Sequence, residues 1–115
     1  MAVTIYYDAR SATCRKVLKL IRETGVDPTV IEYEKTPPGR EELVALILAL
    51  DALPRTLLRK KEKLYHDLGL DDESLSDREL IDAMLENPSL IERPIVIGPK
   101  GIRLCRPRER VFEIL

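Results

Sequence analysis

Cysteine and histidine are scarce: Cys14, Cys105 and His66 are the whole supply in 115 residues. With the two cysteines so far apart, neither a disulfide framework nor the ligand spacing of a zinc site is available, and no metal is expected. No apolar run approaches the length needed to span a bilayer, and MAVTIYYDAR has no basic stretch leading into a long apolar one. A cytoplasmic location without membrane association is therefore the expectation. Net charge is nearly absent as well, with 19 basic against 20 acidic residues and a balance of −1. That gives no general attraction to nucleic acid or an anionic surface, so any charge-based chemistry must be local. Internal repeats and low-complexity segments are missing too.

What is present is ordinary globular material, 44% apolar and 34% charged. A chain of this length fits one domain, taken here as 1–115, and buries roughly two-thirds of its unfolded surface.

The informative stretch is IYYDARSATCRKVLKLI, residues 5–21. An apolar strand ends in the polar turn Asp8-Ala9-Arg10-Ser11 and runs straight into an amphipathic helix. The first N–H groups of a helix have no intrahelical partner and, with the helix dipole, favour an anion or a thiolate. Ser11 suits the N-cap. Cys14, Val17, Leu18 and Ile21 fall at i, i+3, i+4 and i+7, so Cys14 is expected to point inward. Strand, turn and a helix carrying S-x-x-C resemble the active-site corner of a thioredoxin-type fold. There the first sulfur of C-x-x-C sits exposed at the helix head and the second lies one turn deeper. Here Ser11 occupies the first place.

The rest of the chain reads in order. Val3–Tyr7 and TVIEYE (29–34) are strands flanking the helix, which closes near Gly25, a βαβ arrangement with parallel strands. After KTPPG, a helix over Arg40–Leu50 is expected to bury Leu43, Val44, Ile47 and Leu50. Pro54 opens a short helix, PRTLLRKK. Ser76 and Glu79 form a capping box for a helix that turns Leu80, Ile81, Met84 and Leu85 inward. His66 is placed between helices, on the surface. Pro94–Ile97 and Ile102–Cys105 form a hairpin around GPKG, with Cys105 expected as a buried core thiol. A closing helix from Pro107 is expected to pack Val111, Phe112 and Leu115. The order is β-α-β, helices, then β-β-α.

In that order the segments TIYY…TCRKVL, DPTVIEY, TPPGREEL, TLLRKK, LIDAML and ERPIVIGPKGIRLCRP resemble the glutaredoxin-linked arsenate reductase family over nearly the whole chain. The resemblance implies an α/β, thioredoxin-like three-layer fold with a four-stranded mixed sheet and a helical subdomain inserted at about 39–89. It implies arsenate or a similar oxyanion as substrate, no bound cofactor, glutathione as co-substrate and glutaredoxin as partner. It also implies an oxyanion held by Arg59, Arg93 and Arg106, with Pro94 cis beside the reactive group. Guanidinium forks suit such a ligand because they give paired, charge-assisted donors to a multiply charged tetrahedral anion.

At one decisive position the chain departs from the family, since Ser11 stands where the nucleophilic cysteine aligns. A hydroxyl titrates too high to act as a thiolate and cannot form the sulfur–sulfur bond of the glutaredoxin step. Three explanations stay open: a redox-inactive relative, a cysteine-to-serine variant, or a nucleophile moved to Cys14. Asp8 also brings negative charge to the place an anion should dock. The alternative function is a redox-inactive oxyanion binder or an interaction module resembling the Spx-type regulators, which contact RNA polymerase.

Overall fold

The computed structural model describes residues 2–115, which divide into two compact units. One comprises the chain up to Thr36 together with Arg93–Leu115, and the other is Pro37–Glu92, close to the insertion expected at 39–89.

In the first unit, β1 (Thr4–Tyr7) leads to α1 (Ala12–Glu23) and then to β2 (Thr29–Glu32). β2 runs parallel to β1, with Thr4 opposite Thr29 and Tyr7 opposite Glu32. Two further strands, β3 (Ile95–Gly98) and β4 (Gly101–Leu104), form an antiparallel hairpin, and β3 pairs antiparallel with β1. The sheet order is β2-β1-β3-β4, a four-stranded mixed sheet. Strand alternation sends Ile5 and its partner Val96 to one face, where they meet the α1 stripe of Val17, Leu18 and Ile21 in one core with Val3, Cys105, Val111 and Ile114. Burying such side chains contributes about 1.5–3 kcal/mol each, which is what fixes α1 against the sheet. α1 stops at Thr24, followed by Gly25 at φ 89°, a left-handed position that glycine accepts without a Cβ clash.

The second unit is mostly helical: α2 (Arg40–Ala49), a 3₁₀ turn at Pro54–Leu57, α3 (Lys63–Asp67), α4 (Asp77–Glu86) and a 3₁₀ turn at Pro88–Leu90. The expected capping box is present, with the Ser76 hydroxyl accepting from the Glu79 amide and the Glu79 carboxylate accepting from the Ser76 amide. Arg55 ties the unit's loops together by donating to the carbonyls of Leu70 and Asp72, both at 2.8 Å, and to the Tyr65 hydroxyl. An ion pair of Arg40 with Asp82 joins α2 to α4.

Several local expectations are corrected. PRTLLRKK is helical only as far as Leu57, because Leu57 and Leu58 are both buried and need opposite sides of an extended backbone. Leu58 bridges Ile91 instead, with the Arg59 amide donating to Leu90 O at 2.8 Å. Arg59 thus leaves an extended segment. In α2 the buried positions are Leu43, Leu46 and Ile47, while Val44 and Leu50 are half-buried. In α4, Leu80 and Met84 are buried and Ile81 and Leu85 half-buried. His66 is exposed but belongs to α3 rather than to a linker. The closing segment Arg108–Glu113 is a 3₁₀ helix, which turns Val111 and Ile114 inward and leaves Phe112 exposed and Leu115 half-buried. Strand β2 ends at Glu32, two residues early, and the hairpin strands are each shifted by one residue from their expected limits.

The hairpin meets the closing segment at one tight point. A Cβ on Gly98 would lie 2.3 Å from the Ile114 carbonyl oxygen, which also accepts from the Lys100 amide at 3.2 Å. We expect Gly98→Ala to lower stability by about 1–3 kcal/mol, the usual cost of overpacking. Denaturant unfolding checks this, and an unchanged midpoint would contradict so close an approach.

Candidate functional site

The β1–α1 junction is built by short-range bonds that its residue types invite. Asp8 forms an Asx-type turn: its Oδ1 accepts from the Arg10 amide at 3.0 Å and from Arg10 Nε at 3.2 Å, and its carbonyl accepts from the Ser11 amide at 3.0 Å. That turn sets Ser11 as N-cap of α1, where its hydroxyl accepts from the Cys14 amide at 3.2 Å. The first-turn amides of Ala12 and Thr13 are taken by no acceptor among the described residues. Such donors at a helix head favour an anion.

Positive charge reaches the same place from β3. The Arg93–Pro94 peptide is cis, and the Arg93 side chain, 12% exposed, brings Nε to 3.6 Å from Asp8 Oδ2. Arg106, after β4, is exposed and donates from Nε to the Arg93 carbonyl at 2.7 Å, while the Cys105 amide donates to Pro94 O at 2.9 Å. Arg106 also lines a cavity of about 320 Å³ with Thr13 of α1, Pro107, Arg108 and Glu109. The other flank of the turn holds a cavity of about 250 Å³ whose lining includes Tyr7, Asp8, Arg10 and Glu34, the last paired with Arg10.

Of the residues singled out from sequence, Ser11, Cys14, Arg93, Pro94 and Arg106 all lie in the first unit. Arg59 lies in the second, with its side chain 16% exposed, at 3.3 Å from Glu62 Oε2 and donating to Ser89 O at 3.1 Å. Among the described residues no three of His, Cys, Asp and Glu cluster as metal ligands, and no helix is long and apolar enough to cross a membrane.

The charges here are strongly coupled to burial. Asp8 is 5% exposed, and burial alone would raise its carboxyl, but the bonds from Arg10 and the charges of Arg10 and Arg93 hold it below the ordinary carboxylate range. Cys14 is fully buried; burial pushes its thiol up, against the opposing pull of the Ser11 hydroxyl, the Asp8 backbone and the Arg93 charge. Tyr33, also buried, has its phenol pushed well above the usual range by the same cause. Burial drives the Cys105 thiol up to about 12.

A family model of the ArsC family matches residues 6–114. This chain belongs to the ArsC family. An arsenate reductase of Rhizobium meliloti is 51% identical over 115 residues, covering all of this chain and 82% of that protein. An arsenate reductase of Escherichia coli K12 is 50% identical over 113 residues, covering 98% of this chain and 80% of that protein. Among solved structures, an arsenate reductase from Vibrio cholerae superposes with a TM-score of 0.95 at 44% identity, covering all of this chain and 98% of the other. The fold is accordingly the thioredoxin-like one of that family.

At the β1–α1 junction, sequence reasoning singled out Asp8 as an intrusive charge but missed Arg10 as its partner and Tyr33 as a buried neighbour. The D-x-R spacing of an Asx turn was the available signal for the first; nothing marked Tyr33. Two outcomes are expected. Because the folded Asp8 carboxyl is depressed, its stabilising contribution is complete above the unfolded value of 3.8 and is lost as pH falls below it. Asp8→Asn should remove that part of the acid-side decline, and identical pH profiles of thermal unfolding would contradict the pairing. In the native chain both thiols should react with an aromatic disulfide reagent about a hundredfold or more slowly than in denaturant; a fast thiol at neutral pH would contradict the burial of Cys14.

Proposed function

We propose that the chain is an arsenate reductase-like oxidoreductase whose head of α1 binds arsenate or a similar tetrahedral oxyanion. The single observation that supports this reading is that the Arg93 side chain meets Asp8 beside the Ser11-capped head of α1, with Arg106 bonded to the Arg93 carbonyl. In the proposal Arg93 and Arg106 hold the oxyanion by charge-assisted donors, and Arg59 is the third arginine of the family set. Pro94 shapes the backbone beside them. Residues 1–115 act as one functional domain.

The reaction proposed is reduction of arsenate to arsenite, two electrons coming from two thiols that end as a disulfide, with one oxygen leaving as water. Glutathione serves as co-substrate and glutaredoxin as the protein that returns the system to its reduced state. Position 11 is where a thiolate would attack, stabilised by the helix head and the arginines. A serine there binds and caps but does not attack, and Cys14, one turn deeper, is fully buried with a raised pKa. On this reading the first unit keeps oxyanion-binding groups while position 11 lacks the attacking sulfur. That same observation favours the second reading, a redox-silent oxyanion binder or an Spx-like interaction module.

The test is arsenate reduction with glutathione and glutaredoxin, together with oxyanion binding, in the unaltered chain and in Ser11→Cys and Cys14→Ala. Ser11→Cys is expected to raise turnover on the order of a thousandfold, the scale associated with supplying a missing nucleophile. Loss of the residual rate in Cys14→Ala would locate the working sulfur at Cys14. No reduction by any variant, with oxyanion binding kept, gives the redox-silent reading; no binding either leaves the interaction module.

A further inference from the structure

We propose that Asp8 makes the site selective for oxyanions that carry a proton, as arsenate and phosphate do, over fully ionised ones such as sulfate. The inference rests on the reading of the α1 head as an oxyanion site and assigns that site a discriminating residue. Its ground is geometric. A carboxylate that is 5% exposed lies within ion-pair distance of Arg93, the cation meant to meet the ligand, and next to the cap of α1. An ionised carboxylate only accepts hydrogen bonds and offers about four acceptor positions. Arg10 takes two of them, both on Oδ1, so Oδ2 on the Arg93 side keeps capacity for a donor. The depressed titration of Asp8 keeps it an acceptor throughout the neutral range.

An anion entering beside Asp8 meets a like charge in a partly dehydrated place. If the anion brings an O–H, that hydroxyl donates to Oδ2 and the repulsion becomes a charge-assisted hydrogen bond. Arsenate and phosphate each carry a hydroxyl at neutral pH, whereas sulfate carries none and leaves the carboxylate facing bare oxygen. Sites built to pair with a ligand hydroxyl reject analogues that lack it because a buried polar group is then left opposed rather than satisfied.

The experiment is calorimetric titration of the full chain with arsenate, phosphate and sulfate at one neutral pH and one ionic strength, repeated with Asp8→Asn and Asp8→Ser. Both substitutions keep a short acceptor for the Arg10 amide, and thermal unfolding identifies any variant that has lost its fold. The unaltered chain should prefer arsenate and phosphate to sulfate. The variants should shrink that preference by about ten- to a hundredfold, the worth of one charge-assisted hydrogen bond, mainly through tighter sulfate binding. An unchanged ratio, or an equal gain for all three anions, overturns the role of Asp8 while leaving the oxyanion site standing. Failure of every form to bind any of the three overturns both.

Discussion

The arrangement at the head of α1 depends on one ion-paired carboxylate. Asp8 is placed by β1 at the end of a buried strand, and its carboxylate is met from one side by Arg10 and from the other by Arg93. Water is largely excluded, so an unpaired charge of either sign there would be costly. The pairing therefore fixes three things together: the turn that delivers Ser11 to the cap, the direction of the Arg93 side chain, and through the Arg93 carbonyl the place of Arg106. The charges that would receive a ligand are the charges that hold the junction in shape.

Sulfur chemistry sits uneasily on this frame. A helix head lowers a thiol's pKa only where the sulfur can be solvated or paired, and the stripe that makes α1 a core helix also takes Cys14 out of reach. Position 11, at the helix head itself, carries a hydroxyl that caps α1 and is only 4% exposed. On the proposed reading, this chain keeps the groups that would gather an oxyanion while its two thiols stay buried.

Most of the fold was legible because local signals agreed. The 3.6 spacing of Cys14, Val17, Leu18 and Ile21, the Ser76 and Glu79 box, and the GPKG hairpin each pointed to the element observed. The misses share a cause, since backbone pairing far along the chain overrides local propensity. Leu58 leaves a helical pattern to bridge Ile91, and the close approach of Ile114 to Gly98 tightens the last segment so that Phe112 faces out. In the site, residue types and turn chemistry marked Asp8, Ser11 and Cys14, while the arginines were found through family motifs. No spacing rule joins Arg93 to Asp8, because their meeting is made by the β1–β3 pairing.

The central claim is that the head of α1 is where an oxyanion binds. The most direct measurement is a titration of the isotopically labelled chain with arsenate, followed by backbone amide and arginine side-chain NMR shifts. The account expects saturable changes concentrated at Asp8 to Arg15 and at Arg93 and Arg106, with the Ala12 and Thr13 amides among the largest. Changes confined to other surfaces, or none at saturating arsenate, would contradict it.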